Sequence, residues 1–185
     1  MSGQASQRCA VVDAENRFVR WEERRVIHEH RLVHRSVHVL LFDSAGRLLI
    51  QRRHRDKQTH PRFWDASCAG HVEESDYPDP REPDLYIDVV YRAVAARELQ
   101  EELGVSVPLE PLEVFGPIPG VHYEWMSVFH GRSDGPFVLQ ADEVEEHRML
   151  DRDDVAAFVA SGEPVTHALQ WFLAWMQRNK RWPAR

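Results

Sequence analysis

Arg97-Glu98-Leu99-Gln100-Glu101-Glu102-Leu103-Gly104-Val105 is the stretch from which this chain can be read. It closes a helix predicted from about Val89 to Leu103, with Gly104 suited to a left-handed cap. At 3.6 residues per turn, Glu98, Glu101 and Glu102 fall within an arc of roughly 100° on one helix face. Like charges at i,i+3 and i,i+4 spacing repel each other, and a divalent cation would turn that repulsion into binding. Hard ions such as Mg²⁺ take oxygen ligands and commonly bring substrate phosphates as further ones. Three glutamates alone also fit an ordinary solvated face, so the decision rests on their surroundings.

Immediately upstream, Asp76–Asp88 reads DYPDPREPDLYID, with three prolines and five acids. Proline removes backbone donors and restricts the residue before it, so this segment is loop. Further upstream, His38–Phe42 and Arg47–Gln51 read as a strand pair around Asp-Ser-Ala-Gly. Ala10–Val12 and Arg17–Arg20 suit a hairpin, and Glu22–Arg31 has the charge density of a surface helix. Downstream, Leu112–Phe115, Tyr123–Phe129 and Glu145–Leu150 look like strands. Asp151 is placed to cap a helix through Ser161.

A last helix is expected over Val165–Asn179. Its Leu169, Phe172, Leu173 and Met176 stand at i, i+3, i+4, i+7, and Trp171 and Trp175 widen that face. This helix could cap the core or bury a dimer interface. Strands and helices alternating in one domain indicate a mixed α/β sandwich. The expected plan is one domain over residues 1–185. Residues 1–34 form an N-terminal extension, 76–88 a loop insertion, and 164–180 the C-terminal helix.

The 185 residues, 43% of them apolar, suffice for a core without disulfide staples. The longest apolar run, Val39–Phe42, is far too short to span a bilayer, so no membrane role is expected. Cys9 and Cys68 are too few for a disulfide framework, and Met1–Arg8 lacks the apolar stretch of a secretory signal. A cytoplasmic setting is expected. The net charge of −7 argues against nucleic acid as the main partner. That charge lies in one place: Glu73–Glu102 holds ten acids and three bases. Between Arg17 and Arg62, by contrast, twelve bases face five acids. Such a division suits phosphate recognition beside metal binding, hence a small phosphorylated ligand.

Gly70, Asp76 and the Arg97–Val105 stretch together resemble the Nudix box, G-x5-E-x7-R-E-U-x-E-E-x-G-U, where U is aliphatic. The second half matches at every defined position. The first half departs twice: Asp76 stands where the family has Glu, and twenty residues replace the usual seven. The resemblance implies the Nudix α/β/α sandwich and hydrolysis of a nucleoside diphosphate linked to another group X, by water attack on phosphorus with Mg²⁺ or Mn²⁺. It implies that Glu98, Glu101 and Glu102 bind metal, with Glu98 and Glu102 the direct ligands. Gly70 matches the glycine whose carbonyl can complete the metal site, and Arg97 the arginine that orients box carboxylates. Glu143 and Glu146 are candidate general bases or simply a charged turn.

Leu48-Leu49-Ile50-Gln51-Arg52-Arg53, Trp64–His71 and Asp142-Glu143-Val144 are similar to the branch containing isopentenyl-diphosphate isomerases and their hydrolase relatives. In those isomerases a cysteine directly precedes the Gly-His pair. Here that position is Ala69, and Cys68 lies one residue earlier, which in a strand points to the opposite face. Glu124 does match an isomerase carboxylate, so that activity is the alternative, and Glu124 joins the candidate bases. The intact glutamate set favours hydrolysis, and argues likewise against a non-catalytic nucleotide-sensing module.

Arg52 and Arg53 could hold substrate phosphates through bidentate contacts or simply keep a strand end soluble. Trp64 and Trp125 could stack on a base, though core positions are commoner for a lone tryptophan. The insertion is expected to be a lid that shapes substrate choice or a loop that spoils the glycine–metal geometry. A polar segment has little to bury, so deleting Tyr77–Asp88 is expected to alter substrate preference more than stability.

Overall fold

The computed structural model describes residues 7–183; for residues 1–6, the reading of Met1–Arg8 lies outside the described part. The fold is organised by β3 (His34–Phe42), all nine residues of which are buried. Strand alternation sends its side chains into two separate layers. Val37, Val39 and Leu41 pack with Val90, Val94 and Leu99 of the long helix α2 (Ile87–Leu103). Leu40 and Phe42 pack with Leu169, Phe172 and Met176 of α4 (His167–Arg178). The result is a sheet between two helical layers, the α/β/α sandwich expected.

β8 (Glu124–Arg132) runs parallel to β3 along its whole length, with β7 (Glu110–Phe115) antiparallel outside it. On its other side β3 pairs with β6 (Cys68–His71). β4 (Leu48–Arg53) meets β3 only at Phe42↔Leu48, then pairs with β5 (Trp64–Asp65) and β9 (Val144–Leu150). The N-terminal hairpin, β1 (Arg8–Val12) and β2 (Phe18–Glu23), joins the same sheet through Val11↔His34. Helix α1 (Arg24–His30) follows it, buried through Ile27.

Most boundaries fall within two residues of expectation. Gly104 has φ +67°, the left-handed cap that the sequence suggested for α2. Asp151 accepts a hydrogen bond from the Asp153 amide and leads through a short 3₁₀ turn into α3 (Val155–Ala160). Helix α4 starts at His167, two residues late, because the Thr166 side chain caps it by accepting from the Leu169 amide. Leu169, Phe172, Leu173 and Met176 of α4 are buried in the core of their own chain, with Trp171 and Trp175 partly buried against it. No helix among the described residues is long and apolar enough to cross a membrane.

The acidic insertion departs from expectation. It is irregular, yet it is strapped to the N-terminal hairpin. Tyr77 is buried, and its hydroxyl accepts from the Arg35 guanidinium, which also pairs with Asp84. Asp84 further receives the Phe18 amide, and the Trp21 indole donates to the Pro80 carbonyl. Arg35 is only 1% exposed. The segment neutralises a charge that would otherwise be buried alone, which carries a large penalty. The expectation that it has little to bury is therefore corrected. None of its residues lines the cavity described below.

Candidate active site

Glu102 is buried on helix α2 together with Val94, Leu99 and Leu103. The insertion bulges away, so the two halves of the box close up regardless of the twenty intervening residues. Asp76, at the end of a 3₁₀ turn (Glu74–Asp76), sits 3.4 Å from the Arg97 guanidinium. Arg97 also reaches Glu98 at 2.9 Å and Glu101 at 3.2 Å. Gly70 of β6 lies against Glu98 so closely that a Cβ there would overlap the carboxyl group. The Gly70 backbone and the glutamate carboxylates thus form a cradle that a side chain would fill. Its donors are all oxygens, which suits Mg²⁺ or Mn²⁺.

Burial pushes Glu98 up to about 7 and Glu102 up to about 8, and their mutual repulsion contributes to the Glu102 shift. Folded protein therefore keeps protons that the unfolded chain has lost above about 4.5. Stability should fall as pH rises from there through the folded values. A cation held by the ionised carboxylates offsets this penalty. Adding Mn²⁺ should raise the melting temperature more at about pH 8 than at about pH 5.5, measured by thermal shift. Equal shifts at both pH values would contradict the assignment.

Gly70, Arg97, Glu98, Glu101 and Glu102 line a cavity of about 310 Å³. Along β4 the side chains alternate, so Leu49, Gln51 and Arg53 share one face while Ile50 and Arg52 share the other. Arg53 lines the cavity, held 3.3 Å from Asp65. Arg52 points away and binds Glu146 at 2.9 Å, and neither lines the cavity. Glu143 does line it, paired with Lys57. Glu124 also lines it, 3.9 Å from His34 and 3.7 Å from His38. These imidazoles hold its carboxyl well below the usual range, against the opposing effect of burial.

Two features escaped the sequence reading. The Gln51 amide donates to Glu102 at 2.6 Å; its phase with Arg53 along β4 was the available signal. His28, His34 and His71 bring ring nitrogens within 4.8 Å of one another, and burial depresses His28 and His71. Three imidazoles so placed could hold a borderline-soft cation. They come from α1, β3 and β6, so no local spacing announces them.

Cys68 pairs with Val39 and faces the α2 layer, where burial pushes its thiol far up. Ala69 faces the cavity instead. Trp64 is fully buried, its indole bound to Glu163, and Trp125 donates to the Asp13 carbonyl. Neither tryptophan lines the cavity.

The NUDIX domain family model matches residues 32–169. The chain belongs to the Nudix family. The hairpin and α1 of this Nudix chain precede the matched segment. An uncharacterized Nudix hydrolase of Pseudomonas aeruginosa, PA4841, is 37% identical over 143 residues, covering 76% of each chain. An isopentenyl-diphosphate Delta-isomerase of Burkholderia multivorans is 29% identical over 179 residues, covering 93% of this chain and 92% of the relative. Among solved structures, DR0079 from Deinococcus radiodurans superposes with a TM-score of 0.74 at 24% identity, covering 90% of this chain and 97% of that one. The NUDIX domain of Shewanella oneidensis NrtR, complexed with ADP ribose, gives 0.56 at 14% identity, covering 78% and 86%.

Proposed function

We propose that this Nudix chain hydrolyses a diphosphate linkage in a nucleoside diphosphate derivative by water attack on phosphorus. The observation that carries this reading is the closed box: Gly70, Asp76, Arg97, Glu98 and Glu102 converge although thirteen extra residues separate the halves. Glu98, Glu101, Glu102 and the Gly70 carbonyl would hold Mg²⁺ or Mn²⁺. When bound, such an ion neutralises charge on phosphoryl oxygens and lowers the pKa of a coordinated water.

The chain's own residues supply the rest. Arg97 holds Glu98 by an ion pair and Glu101 by a charge-assisted hydrogen bond. Arg53, oriented by Asp65, can grip non-bridging phosphate oxygens. Its strand neighbour Arg52 pairs with Glu146 outside the cavity, which favours Arg53 for that role. Glu143 and Glu124 lie inside the cavity and are candidates to accept the water proton. Glu146 is engaged outside it. The ADP ribose bound by the Shewanella protein is itself a nucleoside diphosphate linked to a second group, which fits the proposed substrate class.

Isomerisation of isopentenyl diphosphate is the second reading, supported by Glu124 standing in the cavity among histidines. Against it, Cys68 is buried on the opposite face and Ala69 occupies the cavity position. The test is a substrate panel of nucleoside diphosphate derivatives and isopentenyl diphosphate with Mg²⁺, followed by ³¹P NMR. Metal-dependent cleavage of a nucleotide substrate is the expected result. Isomerisation without cleavage would replace it with the second reading. Binding without turnover would leave a sensing module.

A further inference from the structure

We infer that Gln51 is a positioning residue that aims Glu102 at the cation, an inference resting on the hydrolase reading above. Gln51 is 3% exposed and Glu102 7%. The Gln51 Nε2 donates to Glu102 Oε2 at 2.6 Å, and no hydrogen bond from the described residues reaches Oε1 of Glu102. One carboxylate oxygen is thereby anchored to the sheet, in a residue that lines the cavity.

The other half of the amide makes the point stronger. Gln51 Oε1 is buried with no partner, an arrangement that carries a desolvation penalty. An apolar side chain would suit this position better if packing were its only task, since Leu49 on the same strand face joins the α2 layer. A buried donor with an orphaned acceptor makes sense where the donor's direction matters. Partners beyond the coordinating atoms typically fix ligand orientation, and losing one weakens metal affinity 10–100-fold.

The strand geometry supports this division of labour. Gln51 pairs with Asp65 of β5 and with His147 of β9, so its backbone is fixed from both sides. Asp65 in turn orients Arg53, two residues on along the same face. One rigid strand thus sets the direction of a proposed metal-binding carboxylate and of a proposed phosphate-binding arginine.

The experiment uses Gln51→Met, which keeps length and removes the donor, and Gln51→His, which restores a ring N–H. Mn²⁺ affinity is read from the free-ion EPR signal, with metal-free melting temperature measured alongside. The expected result is roughly 10–100-fold weaker Mn²⁺ binding in Gln51→Met with its metal-free melting temperature preserved, and partial recovery in Gln51→His. A wild-type protein that binds Mn²⁺ no more tightly than Gln51→Met would overturn the positioning role alone. Affinity lost equally in both variants, in step with melting temperature, would overturn it too. A wild-type protein that binds no Mn²⁺ at all would instead overturn the metal-site reading beneath it.

Discussion

Replacing Glu102 by Gln should lower kcat/KM for the cleaved diphosphate roughly 10³-fold, and Glu98→Gln should do the same. Both substitutions conserve volume and remove one charge, so the loss reports charge rather than packing. The two glutamates lie one helical turn apart on the cavity side of α2, and burial already raises both carboxyl groups. In metal-free protein each substitution relieves a buried carboxylate. Melting temperature without metal should therefore hold or rise at about pH 8 while activity collapses. The double variant should lose little more than either single one, because the carboxylates would act on one ion as a unit. Substantial hydrolysis in both single variants would remove the basis of the metal assignment.

Deleting residues 78–86 and bridging the gap with glycines should cost roughly 3–5 kcal/mol, the loss associated with stranding a buried charge. For a chain of this size that corresponds to a fall in melting temperature of roughly 6–20 °C. The cause is specific. Arg35 sits almost wholly out of solvent and depends on Asp84 and Tyr77 for compensation. Its remaining bonds, to the Asn16 side chain and carbonyl, involve uncharged partners. Asp84→Asn should reproduce part of the loss, and Arg35→Met combined with the deletion should recover some of it. Substrate preference should hardly move, since the segment does not line the cavity. Thermal melts and a substrate comparison check both halves. An intact melting temperature with altered preference would favour the lid that the sequence suggested.

That reversal shows where reading from sequence stopped. The box was legible because its chemistry is local: Glu98, Glu101 and Glu102 fall on one face by helical phase, and Gly104 ends the helix. The strand alternation that turns Cys68 from the cavity was equally local, since it needs only a one-residue shift. The cost of removing the insertion was not, because Arg35 lies about fifty residues away in the chain from Asp84. Composition described the insertion correctly as polar and proline-rich, yet one buried guanidinium changed its role.

Pairs of adjacent residues show the same boundary. Arg52 and Arg53 look equivalent in sequence, and only strand pairing decides that Arg53 enters the cavity while Arg52 meets Glu146. The basic-then-acidic charge division survives in a narrower form. Arg53, Lys57 and Arg97 face the cavity with Glu98, Glu102 and Glu143, whereas Asp84 and its neighbours serve the hairpin. The histidine cluster was beyond reach because three separate elements assemble it.

The most direct test of hydrolysis at this site is one reaction in H₂¹⁸O containing Mg²⁺, a nucleoside diphosphate derivative and isopentenyl diphosphate. Products are read by mass spectrometry, for wild type beside Glu102→Gln. The account predicts that wild type cleaves the nucleotide derivative and places one ¹⁸O on a phosphoryl product, while Glu102→Gln leaves it intact. Isomerised isopentenyl diphosphate beside an untouched, unlabelled nucleotide derivative would contradict it.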